Sequence, residues 1–194
     1  MQYRRWRLPR FVYAAALVIA LCAVAEYSEA RRYAQRPFIA VYNVRRAPCV
    51  HLIGKQTYIY SAVPADSAML ALQSVERTFW KTRRLPAPQF VETGFSNGEL
   101  HVSPHALVFS GRRIAMPSGW LPKQHAGKAL PVDALIVTAD FRGTLANALA
   151  FYRPRVVVLH SSLSQRRAER FAREAEAAGV EVFDVAQRGA FVLQ

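Results

Sequence analysis

The chain has 194 residues, with 26 Lys and Arg against 13 Asp and Glu, for a formal net charge of +13. This length holds one domain plus an extra segment and can bury a true hydrophobic core. The charge points to polyanionic partners such as nucleic acid or anionic lipid. Two cysteines, Cys22 and Cys49, exclude a disulfide framework, and no Cys/His spacing of the zinc-ligand kind is present.

In chain order, residues 1–10 form a basic segment carrying Arg4, Arg5, Arg7 and Arg10. Phe11–Ala25 is then apolar throughout, and residues 11–27 are expected to form one membrane helix or the core of a secretory signal peptide. Fifteen apolar residues are few for a span, but Trp6, Tyr13 and Tyr27 suit its interfaces and Arg10 can snorkel. Ala23-Val24-Ala25 equally fits a small-x-small cleavage site. Either reading places the rest of the chain outside the cytoplasm, with the anchored form a single-pass protein of the cytoplasmic membrane. Residues 37–194 are expected to form the globular domain.

Within that domain Pro37–Val44, Pro48–Ile53 and Gln56–Ser61 read as strands, the last two joined as a hairpin through Gly54-Lys55. Ala65–Lys81 reads as a helix, with Ala68, Leu72, Val75 and Phe79 at spacings of three and four and Asp66 as its N-cap. Phe90–Thr93, Leu100–Val102, Ala106–Phe109 and Arg113–Met116 are short strands, the last two turning at Gly111, and Met116–Leu130 is a Pro/Gly-broken loop. The last third is the most regular. Asp133–Thr138 and Arg155–His160 are buried-type strands around a helix at Leu145–Tyr152; a helix at Ser164–Ala178 ends at Gly179; Val180–Val185 and Ala190–Leu193 are closing strands. Two such strands joined by a helix make a βαβ unit. The fold class is α/β.

Several groups could carry chemistry. His101 and His105 are four apart, but Pro104 breaks the strand between them. His160 ends an apolar strand, where α/β proteins place ligands, and Asp140 follows another. The serines after His160 are of the kind that cap the next helix. A metal hydrolase would have to draw on His101, His105, Asp140 and His160, short of a recognisable three-ligand zinc site; His51 and His125 are isolated. Among the basic groups, Arg166, Arg167, Arg170 and Arg173 alternate with Glu169, Glu174 and Glu176 on one helix, so local pairing accounts for them. Lys81, Arg83 and Arg84 have no acid within four positions and lie beside Trp80, so they are the leading nucleic-acid contacts, through phosphate pairing and stacking; Arg112 and Arg113 on the Gly111 hairpin are the next.

The run VDALIVTADFRGTLANALAFYRPRVVVLHSS, then RAERFAREAEAAGVEVFDVAQRGAFVLQ, resembles the end of ComEC-type DNA-uptake channel proteins, whose membrane competence region is followed by a metallo-β-lactamase-like domain. The opening FIAVYNVRRAPCVHLIGKQTYIYSA is similar to a branch whose terminal domain is reduced and follows directly on the last membrane helix. The resemblance implies a reduced metallo-β-lactamase-like α/β domain behind one N-terminal transmembrane helix, serving uptake of transforming DNA. Active relatives carry an H-x-H-x-D-H run; none is present here, Ala139 stands beside Asp140, and His160-Ser161-Ser162 replaces a later histidine-rich loop. A non-catalytic domain without metal or cofactor is therefore expected, with DNA and the membrane as partners and a separately encoded channel subunit as a further one. The other reading from the same residues is a membrane-tethered assembly module that never touches DNA.

Overall fold

The computed structural model describes residues 7–83, 85–122 and 127–194, with side chains throughout except at 7–10, 26 and 29–35. Helix α1 (Arg7–Gln35) leads into the first strand through Arg36 and Pro37. It carries the expected apolar run with its side chains uncovered, Phe11 being 72% exposed. The expected transmembrane span is not met. Among the described residues no helix is long and apolar enough to cross a membrane. The unbroken run Phe11–Ala25 would cover only about 22 Å at the helical rise, against a hydrocarbon core of about 30 Å.

The rest of the chain forms two sheets packed face to face. Strands β1 (Phe38–Val41), β2 (Cys49–Ile53) and β3 (Thr57–Ser61) form an antiparallel meander, and β4 (Gln89–Val91) joins β3 in parallel. The second sheet starts with an antiparallel meander, β5 (Leu100–Ser103), β6 (Ala106–Phe109) and β7 (Arg112–Ala115). It continues with three strands parallel to β7: β8 (Leu130–Val137), β9 (Tyr152–Leu159) and β10 (Glu181–Asp184). The closing pair expected at the C-terminus is divided between the sheets. β11 (Phe191–Leu193) leaves its neighbour β10 and pairs antiparallel with β1, Ile39 opposite Leu193. Gly189, at φ +86°, lets the chain cross over, because this left-handed backbone suits glycine.

Three apolar layers hold the sheets and helices together. Ile39, Val41, Val50, Leu52 and Tyr58 of the first sheet meet Leu107, Phe109, Ile114, Ile136 and Val158 of the second. On the outer face of the second sheet lie α3 (Leu145–Phe151) and α4 (Gln165–Ala177). Helix α4 buries Ala168, Phe171 and Ala175, spaced three and four, and turns its charged side outward. On the outer face of the first sheet lies α2 (Ala65–Val75), burying Ala68 and Leu72. The layers therefore run helix, sheet, sheet, helix.

Local differences from the sequence reading have simple causes. Asp66 does not cap α2; Pro64 holds the cap position without a side-chain bond, and Asp66 lies in the first turn, where its charge favours the helix dipole. The expected helix to Lys81 ends as a π-turn, Glu76–Trp80. Proline did not shorten β8 or β9; Pro131 and Pro154 lie near their starts, where fewer ladder bonds are lost. A short helix, α5 (Val185–Arg188), was not foreseen; Asp184 caps it by accepting from the Ala186 N–H at 2.8 Å. Cys22 and Cys49 are both free, one exposed and one buried.

A buried polar chain lies beneath α2. The Trp80 indole N–H donates to the Tyr42 hydroxyl at 3.1 Å, and that hydroxyl meets His51 Nδ1 at 2.5 Å. Burial holds His51 at a pKa of about 3 and His160 at about 4, against an ordinary 6.5. Below pH 6.5 the unfolded chain takes up protons at both sites while the folded chain does not, so stability falls as the pH drops toward 4. By pH 5 the loss should be roughly 2 kcal/mol per histidine. Urea unfolding midpoints at pH 7.5, 6 and 5 should decline in that order; equal midpoints would show that neither imidazole is kept neutral by the fold.

Candidate nucleic-acid interface

Strands β7, β8 and β9 run parallel, so their N-terminal ends gather at one pole of the domain. Each begins with basic residues. β7 is entered from a tight turn at Ser110 (φ +48°) and Gly111 (φ +81°) and starts with Arg112 and Arg113. β9 carries Arg153 and Arg155 on either side of Pro154. Between them β8 contributes Asp133. The register pairs Ile114 with Ala134 and Ala134 with Val156, which sets the three starts side by side. All five side chains line one cleft of about 690 Å³.

Asp133 organises this cleft. One carboxylate oxygen accepts from the Arg113 backbone N–H at 2.9 Å. The other lies 3.7 Å from the Arg112 guanidinium and 3.8 Å from that of Arg155. Four guanidiniums around one carboxylate give the cleft a net positive charge among the described residues. Arg113, Arg153 and Arg155 are exposed, so the charge faces solvent. Arg112 also donates to the Gln194 backbone oxygen at 2.8 Å, which fixes its direction. A second groove, of about 500 Å³, shares Ser110 and Arg112 and is lined on its other side by Arg36, Pro37 and Phe38. The arginine pole is thus the end of the domain at which α1 joins.

The sequence-predicted residues fall into three groups. Arg112 and Arg113 belong to the cleft. Lys81 and Arg83 are exposed but lie on the turn after α2, with other engagements: Lys81 is 3.7 Å from Glu76, and Arg83 stacks over Phe79 at 5.5 Å. The π-turn explains the missed acid. Its wider spacing joins the Lys81 N–H to the Glu76 carbonyl at 3.0 Å and brings together side chains five apart. Trp80, read as a stacking partner for this cluster, is 4% exposed and bonded to Tyr42, so it has no face to offer a base. Arg84 lies outside the described residues, as does His125. Arg153, Arg155 and Asp133 were missed because they are remote in sequence from the Gly111 hairpin. Charges at the starts of successive parallel strands were the available signal, since parallel strands align their starts.

The opposite pole holds the residues weighed as metal ligands. His160 is buried; its Nδ1 accepts from the Ser162 N–H at 3.0 Å, which puts the proton on Nε2. Nε2 has no aligned partner among the described residues, though the Tyr42 backbone favours the charged ring. Ser162 does not cap α4 but accepts from the Ala139 N–H at 3.0 Å, and Ser164, at the cap position, makes no side-chain bond. Asp140 is exposed on the turn after β8. His101 is exposed and 3.2 Å from the Ser96 hydroxyl, while His105 Nδ1 is buried without a partner among the described residues. Among the described residues no group of three or more His, Cys, Asp or Glu is placed to hold a metal ion.

A search among curated proteins returns no match. The family profile for the ComEC C-terminal domain matches residues 39–194, which takes in every strand of both sheets except the first residue of β1. The chain belongs to the ComEC C-terminal domain family.

Proposed function

We propose that this chain is a non-catalytic domain of DNA uptake that holds DNA at the arginine pole, beside the membrane. Four arginines converging on one cleft carry the reading, because phosphate contact by clustered guanidiniums is the main source of nucleic-acid affinity. Lys81 and Arg83, both exposed, would add to the contact, as would Arg84 on its charge alone. Family membership supplies the DNA-uptake context. The helix–sheet–sheet–helix layering supports a reduced metallo-β-lactamase-like fold. The strand ends at the opposite pole, holding Ala139, His160 and Ser162, give no three-ligand set for hydrolytic zinc chemistry.

In this reading the chain sits at the cytoplasmic membrane with the domain on the extracytoplasmic side, which the exposed apolar side chains of α1 support. The arginine pole then faces the membrane surface, where a separately encoded channel subunit would receive DNA. The test is binding of full-length protein in nanodiscs to labelled DNA at several salt concentrations. Affinity should fall steeply with salt, with a logarithmic slope of about −2 to −4 for three or four phosphate contacts. Absence of binding at low salt would leave the assembly-module reading instead.

A further inference from the structure

At the pole opposite the arginine cleft, one large aromatic ring faces water. Trp120 is 73% exposed. It is held rigidly. Met116 and Pro117 on one side and Leu121 on the other are buried, and Leu121 belongs to the core between the second sheet and its helices. Between these anchors Gly119 is tied to the turn after β8: its N–H donates to the Asp140 oxygen at 3.0 Å, and its oxygen accepts from the Arg142 N–H at 2.8 Å. Gly119 has φ +62°, a conformation that a side chain would strain.

That turn is braced in its own right. Arg167 reaches from α4 and donates to the Ala139 oxygen at 2.9 Å and to the Phe141 oxygen. The Ser162 hydroxyl holds the Ala139 N–H. Asp140, the acid of this turn, interacts with the Arg167 cation, and Arg142 is exposed next to the tied glycine. The loop that carries Trp120 is therefore joined by its backbone to a turn that bears the exposed Arg142.

We infer that Trp120 is a stacking platform for an unpaired nucleobase, with Arg142 taking an adjoining phosphate. The inference rests on the DNA-contact reading and adds what the arginine cleft cannot supply. Guanidiniums meet the backbone of either nucleic-acid form, whereas only an unpaired base offers its face to an indole. A lipid surface is the other environment in which exposed tryptophans gather, but Trp120 lies about 25 Å from the pole at which α1 joins, the length of β8 away. The exposed Arg142, whose backbone N–H bonds the residue before Trp120, also suits a nucleic acid.

The experiment is tryptophan fluorescence of full-length protein in nanodiscs, titrated with oligo(dT), with blunt duplex and with anionic vesicles. Trp80 is buried, and a Trp6→Phe background used throughout removes the third indole, so the exposed ring dominates the signal. Oligo(dT) should quench, duplex much less. Trp120→Ala should remove the quenching and weaken oligo(dT) binding about tenfold while leaving duplex affinity and the thermal midpoint unchanged; Trp120→Phe should retain most of the binding. Unchanged oligo(dT) affinity in Trp120→Ala would overturn the stacking role while leaving the arginine cleft standing. A blue shift with vesicles and no response to oligo(dT) would overturn it in favour of membrane contact. No DNA binding by the unaltered protein would end both readings.

Discussion

Replacing Arg112, Arg153 and Arg155 together by Ala should weaken DNA binding about a hundredfold at 0.15 M salt. Each phosphate contact releases bound counterions, worth about 1 kcal/mol at that salt, so three lost contacts amount to about 3 kcal/mol. The salt slope should become shallower by about 2 to 3. Two features keep the variant interpretable. All three side chains lie on the surface of the cleft and outside the apolar layers, and Asp133 retains the Arg113 N–H as a partner. A matched triple replacement on α4, Arg166, Arg170 and Arg173, removes the same charge elsewhere. If the two triples weakened binding equally, net charge and not the cleft would be responsible. If neither did, DNA would not lie at this pole.

Phe171→Ala should be the most damaging single change to the fold, costing about 3–5 kcal/mol. The ring is fully buried against Phe141, with centroids 6.1 Å apart. Two guanidiniums add to the loss: Arg167 lies 5.6 Å and Arg170 4.8 Å from its centre. Such a cost is a large part of an ordinary domain's stability. A fall of several degrees or more in the thermal midpoint, with loss of the α4 helical signal, is the expected reading. A midpoint within a degree of the parent would mean that α4 is not seated on the sheet through this side chain.

Much of the second sheet was legible in advance because its strands announce themselves locally. ALIV and VVVL are apolar runs long enough for a strand, bounded by proline and small polar residues, and Gly179 stops the helix between the last two. What escaped was whatever depends on distant partners or on unusual spacing. Nothing local to Phe191–Leu193 says that its partner is β1 and not β10. The π-turn moved Lys81 onto Glu76 by adding one residue to the usual helical reach. The site suffered from the same blindness. Charges were grouped by adjacency, so Lys81, Arg83 and Arg84 stood out and Arg153 and Arg155 did not. Trp80 looked available because the sequence cannot show the hydroxyl of Tyr42 waiting for its indole. Trp120 went unremarked inside a loop defined only by its prolines and glycines.

The pairing of β11 with β1 has a consequence for how the chain is made. The strand that emerges first after α1 is joined on one side by β2, its near neighbour in sequence, but on the other only by residues near position 192. Such widely separated contacts make folding slow, because a long loop must close before they form. Until Phe191–Leu193 has left the ribosome, the outer edge of β1 offers unpaired N–H and C=O groups to any passing strand. The first sheet therefore closes only once Phe191–Leu193 has emerged, and β1 is an edge exposed to aggregation in the interval.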